Sequence, residues 1–174
     1  MTDTTWAYSE KVKEHFFNPK NVLFEDESLF THNARGLSGN KICGDQMLML
    51  LQIEDDIIEN IAWKTYGCAS AIASTSMLSQ VVKGMNIFDA FAITPDEVSE
   101  KLGGLPPNKK HCSVMGDEAL QNAINNYLTK TNREPLMTPS NKKAASPAQF
   151  TTGGLNGAAM CEKGAKWQSI VPQK

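Results

Sequence analysis

The alternation of apolar and polar positions predicts one short helix and then three strands in the first part of the chain. Val12 and Phe16 are four residues apart, so they share one face of a helix over residues 8–17. The strands are expected at residues 31–42, 46–54 and 57–65. The second and third are apolar runs separated by two aspartates, which is typical of a hairpin.

The apolar residues change to a helical period after residue 68. Thr94, Pro95 and Glu97 form a strong helix start, with a cap, a proline at the first position and a glutamate three residues after the cap. Helices are predicted at residues 69–83, 87–91, 94–102 and 113–130. The last of them is expected to bury Val114, Ala119, Ala123, Ile124 and Tyr127.

The final part of the chain shows no sustained periodicity. Residues 134–174 are rich in Ala, Ser, Thr, Gly, Pro and Lys, and Phe150 and Trp167 are their aromatic residues. Such a composition cannot bury enough apolar surface to order itself. We therefore expect one domain over residues 1–132, followed by a low-complexity, disordered tail over residues 133–174.

Charge and composition exclude some classes of protein. The chain has 174 residues and a net charge of −2, and residues 1–132 carry 11 basic and 17 acidic side chains. This acidic body does not favour nucleic-acid binding. Neither an apolar run long enough for a membrane span nor a signal or transit peptide is evident, so we expect a cytoplasmic protein without a membrane partner.

Three isolated cysteines are the residues most suggestive of chemistry. Cys43, Cys68 and Cys112 form no CxxC pair, and Asp45 and His111 lie beside two of them. Thiols stay reduced in the cytoplasm, so cysteines there indicate a metal site or catalysis before disulfides. Three thiols with a weak fourth ligand suit a soft metal ion.

The predicted elements place each thiol at a junction. Cys43 is expected in the loop between the first two strands, Cys68 between a strand and a helix, and Cys112 just before a helix. Unpaired N–H groups at a helix N-terminus favour the thiolate, which is the form that binds metal and attacks sulfur. Gly44 and Gly67 allow the backbone to approach a bulky centre closely.

Five stretches in order resemble the NifU/IscU-type iron–sulfur cluster assembly scaffolds. They are residues 8–12, 18–22, 43–45, 64–74 and 105–113, and the resemblance covers about residues 6–131. Together with the predicted elements, the resemblance implies an α+β fold in which a small antiparallel three-stranded sheet packs against several helices. It also implies a scaffold for a transient 2Fe–2S cluster, not an enzyme.

The resemblance implies a role for each candidate residue. Cys43, Cys68 and Cys112 match the cluster-ligand cysteines, and Asp45 matches an acidic residue that keeps the cluster labile. His111 matches a histidine that can act as a fourth ligand. Cys112 also matches the cysteine that accepts persulfide sulfur.

The same resemblance implies partners. They are a cysteine desulfurase that supplies sulfur, which the segment around Tyr8 is expected to contact, and apo iron–sulfur proteins that receive the cluster. Residues 105–109 resemble a segment gripped by an Hsp70 chaperone and its J-type co-chaperone, although Asn108 replaces a valine there. Cys161 in the tail matches no ligand.

Two other functions use the same residues. A structural zinc protein could hold Zn²⁺ with these Cys, Asp and His side chains, and zinc could also occupy the site of a scaffold after isolation. A cysteine-nucleophile enzyme would use Cys112, but the sequence offers it no clear separate base and orienting residue. Taken singly, each cysteine could also be a small buried hydrophobe.

Overall fold

A computed structural model describes residues 8–40, 44–106 and 110–136, without the side chains of residues 40 and 110–112. The predicted tail lies outside the described residues apart from its first four positions. In chain order the elements are α1 (Glu10–Phe17), β1 (Ala34–Asn40), β2 (Asp45–Glu54), β3 (Ile57–Tyr66), α2 (Ala69–Val82), α3 (Ile87–Ala92), α4 (Pro95–Lys101) and α5 (Lys110–Lys130). The expected α+β fold is confirmed.

The described strands form one antiparallel sheet in the order β1-β2-β3. Alternate residues point to opposite faces of a strand, so Met47, Met49 and Trp63 enter the main core under the helices. Leu50 and Ala62 lie in a second, smaller cluster. Both clusters are buried, which explains why β2 and β3 read as nearly continuous apolar runs.

Glycines let α5 pack closely against the sheet and against α2. A Cβ atom on Gly36 of β1 would lie 1.9 Å from the carbonyl oxygen of Ala119 in α5. A Cβ atom on Gly116 of α5 would lie 3.2 Å from Oγ1 of Thr75 in α2. Helix α5 is therefore held on two sides by contacts at its own middle. Within the described residues, no helix is long and apolar enough to span a membrane.

Two sequence predictions about α5 are wrong. The helix begins at Lys110, three residues before the predicted start at Ser113. Pro107 is the last strong helix breaker before it, so residues 110–112 can adopt helical angles. Val114 is exposed (37%) although we expected it to be buried. It lies two residues, or about 200° of rotation, from Gly116, which faces α2.

Candidate functional site

The candidate residues lie at one end of the sheet, where β2 begins and β3 ends. Gln46 near the start of β2 pairs with Tyr66 at the end of β3. The hydroxyl of Thr65 donates to the carbonyl oxygen of Gln46 at 2.8 Å and fixes this end of the hairpin. Asp45 before Gln46 and Cys68 after Tyr66 are thereby brought to the same edge.

Asp45 lies beside the turn that carries Cys68. The carboxyl carbon of Asp45 is 3.8 Å from the position that a Cβ atom on Gly67 would occupy. That position is also 3.0 Å from the Cβ atom of Ala71 in the first turn of α2. Small residues at 67 and 71 therefore leave room for the aspartate next to the start of the helix.

Cys68 is the N-cap residue of α2. Its backbone is extended (φ −74°, ψ 171°), and its carbonyl oxygen accepts the first helical hydrogen bond from the N–H of Ile72 at 3.1 Å. The Cys68 side chain makes no capping hydrogen bond, is half-buried and packs at the margin of the core. The positive end of the α2 dipole is therefore adjacent to this thiol.

Helix α5 runs antiparallel to β1 and begins at the same end of the sheet. Asn126 accepts a hydrogen bond from the N–H of Arg35 at 3.3 Å, and the hydroxyl of Ser38 donates to Glu118 at 2.7 Å. Residues further along β1 thus meet residues earlier in α5. The first turn of α5 therefore lies towards the end of β1, where Asn40 pairs with Asp45.

The structure describes only some of the predicted site residues. Asp45 and the turn with Cys68 are brought together, whereas Cys43 and Cys161 lie outside the described residues. His111 and Cys112 are described by their backbone alone. Cys112 belongs to the first turn of α5, so the prediction that it precedes the helix is wrong. No strong helix breaker lies between Pro107 and Cys112, so the helix can begin before this cysteine. Its expected position at a helix N-terminus holds.

Sequence reasoning missed Asp117, a buried carboxylate five residues after Cys112. Its side chain is 5% exposed, and neither oxygen has a hydrogen-bond partner among the residues that the structure describes. Burial, with smaller contributions from Glu118 and Glu97, raises the pKa of Asp117 to about 8. The helical spacing of the buried residues at 113, 117, 120 and 124 could have revealed its position.

Sequence reasoning also missed how the first described residues contact the site. The hydroxyl of Ser70, in the first turn of α2, donates to the Tyr8 hydroxyl at 3.0 Å. Ser9 directly follows Tyr8 in the chain, and its hydroxyl donates to the carbonyl oxygen of Leu102, the residue after α4. Residues 8 and 9 therefore join the helix that carries Cys68 to the segment that leads towards α5.

Comparisons with known proteins identify the family of this chain. The family model described as "NifU-like N terminal domain" matches residues 7–134. The iron–sulfur cluster assembly scaffold protein IscU of Aquifex aeolicus is 46% identical over 132 residues, which are 74% of this chain and 81% of that protein. The nitrogen fixation protein NifU of Azotobacter chroococcum is 47% identical over 124 residues, which are 70% of this chain and only 39% of that protein.

A solved structure supports the fold. The N-terminal part of a nitrogen-fixing NifU-like protein from Brucella abortus aligns with a TM-score of 0.56 and 18% identity, covering 71% of this chain and 96% of that one. The fold is thus that of a small α+β domain of the kind found in NifU-like proteins. The chain belongs to the family of NifU-like N-terminal domains.

Proposed function

We propose that this chain is a scaffold, not an enzyme, on which a transient 2Fe–2S cluster is assembled and then transferred to apo-proteins. The observation that carries the proposal is the position of Asp45 beside the turn with Cys68, at the end of the sheet where α5 begins. The relatives named as iron–sulfur cluster assembly scaffolds support it.

The proposed ligands are three thiolates and two weaker groups. Cys43, Cys68 and Cys112 bind the irons, while Asp45 and His111 provide exchangeable oxygen and nitrogen ligands. Iron is a substrate here, because it enters as Fe²⁺ and leaves within the cluster. A carboxylate or imidazole in place of a fourth thiolate holds iron less firmly, which suits a protein that must release its cargo.

Cys112 is the proposed acceptor of sulfur. Its thiolate attacks the outer sulfur of a persulfide on a cysteine desulfurase, a new S–S bond forms, and the donor cysteine leaves as a thiolate. A thiol reductant then supplies the electrons that convert the transferred sulfur to sulfide. The location of Cys112 in the first turn of α5 supports this role, because a helix N-terminus stabilises a thiolate.

The proposed partners follow from this reaction. A cysteine desulfurase supplies sulfur, apo iron–sulfur proteins accept the cluster, and an Hsp70 chaperone with its J-type co-chaperone binds through residues 105–109. We place these steps in the cytoplasm. Leu105 is buried and its N–H donates to the Ser99 hydroxyl at 3.1 Å. A chaperone that grips Leu105 must therefore displace it from the core.

The test is anaerobic reconstitution with ferrous iron, cysteine, a cysteine desulfurase and a thiol reductant. The chain should develop visible absorption that a chelator removes. Cys43→Ser, Cys68→Ser and Cys112→Ser should each lose most of this absorption, and Cys161→Ser is the matched control that should retain it. Wild-type absorption that survives all three substitutions would refute the proposal.

A zinc-binding structural protein is the alternative that the same experiment separates. The Cys, Asp and His donors also suit Zn²⁺, so the isolated protein can carry zinc under either function. Mass spectrometry should detect persulfide sulfur on Cys112 after incubation with the desulfurase and cysteine. If the protein binds zinc and never accepts sulfur, whether or not a chelator has first removed the zinc, the structural zinc protein is favoured.

A further inference from the structure

A second surface of the molecule, away from the candidate site, exposes large apolar side chains. Phe24 is 60% exposed and Leu29 is 68% exposed. Both line one cleft of about 400 Å³, together with the buried Leu23 and Ala62 and the half-buried Phe30. The smaller core cluster forms part of its floor. Clustered apolar residues of this size on a surface mark a binding site more often than isolated ones do.

The segment that carries Phe24 and Leu29 is acidic, although two charged residues that line the cleft itself, Glu25 and Lys83, have opposite signs. Glu25 lines the cleft, and Asp26, which follows it, is also exposed. Glu27 is already paired with Arg35, with 2.5 Å between the guanidinium Nε and the carboxylate. Lys83 lies among the lining residues as well. An occupant that combines an aromatic residue with positive charge would match Glu25 and Asp26.

The chain itself contains such a segment outside the described residues. Residues 163–174 include Trp167, Ile170 and Val171, with three lysines and no acidic residue. Residues 133–174 as a whole carry 6 basic and 2 acidic side chains, against the excess of acidic side chains over residues 1–132. The sequence therefore provides an aromatic and basic segment that is complementary to the cleft.

The described part of the chain ends at residue 136, close to an element that lines the cleft. Arg133 forms two hydrogen bonds with the Asp56 carboxylate at 2.6 and 2.8 Å, at the turn before β3. Asn60, which lines the cleft, lies four residues after Asp56 along β3, a distance of roughly 13 Å in an extended strand. Trp167 follows Leu136, the last described residue, by 31 residues. A flexible connection of that length spans about 30 Å on average.

We propose that residues 163–174 dock in this cleft of the same chain, with Trp167 against Phe24 and Leu29. The lysines of the segment then face Glu25 and Asp26. Docking within one chain benefits from an effective concentration in the millimolar range, so a modest interface suffices. Because Lys–carboxylate pairs contribute, added salt should weaken the docking.

The experiment uses the full chain with a spin label on Cys161, six residues before Trp167. Cys43, Cys68 and Cys112 are replaced by serine so that only Cys161 reacts. The amide NMR signals of Phe24, Leu29 and Ala62 should broaden, and those around Gly116 should not. Trp167→Ser and Leu29→Ser should each lower the ratio of docked to free segment by roughly tenfold, as expected when a buried anchor residue is removed.

Matched variants test the two parts of the interface. Phe150→Ser and Phe88→Ser remove other aromatic residues and should leave the broadening unchanged. The double substitution Lys163→Glu with Lys166→Glu should weaken the broadening. The broadening should return when Glu25→Lys and Asp26→Lys are added to that double variant. In the cysteine-intact protein, Trp167→Ser should shift the amide signals of Phe24, Leu29 and Ala62, which would show that the docking does not depend on the serine substitutions.

Three results would overturn the proposal. The first is no broadening at the cleft. The second is broadening in a mixture of two chains, one isotope-labelled without a spin label and the other spin-labelled without isotopes. Broadening in that mixture would show that the segment of a second copy occupies the cleft. The third is broadening that persists in Trp167→Ser. The proposal is independent of cluster assembly, so failure of reconstitution does not affect it.

Discussion

The buried carboxyl group of Asp117 makes the stability of this domain depend on pH. Its side chain lies in α5 with no hydrogen-bond partner among the described residues, and its pKa is raised to about 8. The folded state therefore keeps the group protonated at pH values where the unfolded chain has released the proton. The substitution Asp117→Asn preserves the size of the side chain and removes this proton equilibrium.

The expected magnitude follows from proton linkage. A raised folded-state pKa contributes stability that is fully present below the unfolded pKa of about 4 and is lost as the pH rises towards the folded pKa. For one proton the loss is about 1.4 kcal/mol per pH unit, or roughly 3 kcal/mol between about pH 5 and 7. Asp117→Asn should therefore become more stable than wild type by an amount that increases over this range.

The assay is urea unfolding of the metal-free protein, followed by circular dichroism at several pH values. The quantity of interest is the difference in unfolding free energy between Asp117→Asn and wild type, because other titrating groups cancel in it. Asp89→Asn removes a negative charge from an exposed position of α3 and is the matched control. It shows the effect on stability of removing one carboxylate charge without removing a buried group.

Two outcomes would refute this reasoning about Asp117. Parallel curves for Asp117→Asn and wild type would show that the carboxyl group has the same proton affinity in both states. A difference that decreases with rising pH would show that the carboxylate form is stabilised in the folded protein. Only the change of the difference with pH is tested; its absolute size at any one pH is not, since the asparagine amide has its own hydrogen-bonding cost.

Three further substitutions test the packing. Gly36→Ala should cost about 3 kcal/mol or more, or prevent folding, because its Cβ would overlap the backbone of α5; thermal unfolding measures this. Ser76→Ala should cost about 1–3 kcal/mol in urea unfolding, because it removes the 2.7 Å hydrogen bond to the buried His15. Burial lowers the pKa of His15, so its contribution to stability is lost as the pH falls below about 6.5. Arg133→Gln should lower the unfolding free energy only slightly, and less still in high salt, because the ion pair of Arg133 with Asp56 is partly exposed; urea unfolding measures this.

Local signals in the sequence predicted the elements of this fold well. Thr94 caps α4 and forms the expected reciprocal hydrogen bonds with Glu97. Ser9 caps α1, and the two aspartates between β2 and β3 adopt positive φ at the hairpin turn. Each of these depends on interactions between residues close in sequence, which a single chain displays directly.

Contacts between distant residues were not predictable in the same way. The packing of α5 on α2 and β1 decides that Val114 is exposed and that Asp117 is buried. Helical spacing places Asp117 on one face of α5 with residues 113, 120 and 124, but it does not decide how the helix is oriented against α2 and β1. The resemblance to the family supplied the candidate ligands, and the structure adds how Asp45 comes to lie beside the turn with Cys68.

The cap of α2 has a thermodynamic consequence. Cys68 makes no side-chain capping hydrogen bond, although the same residue is a proposed ligand of the cargo. Any group that binds there and interacts with the first turn of α2 stabilises the folded state, by an amount that rises with the logarithm of its affinity. Binding of the proposed cargo and folding are then linked, so the empty domain should melt at a lower temperature than the loaded one. An acceptor protein that removes the cargo must then supply the free energy by which the cargo stabilises this domain.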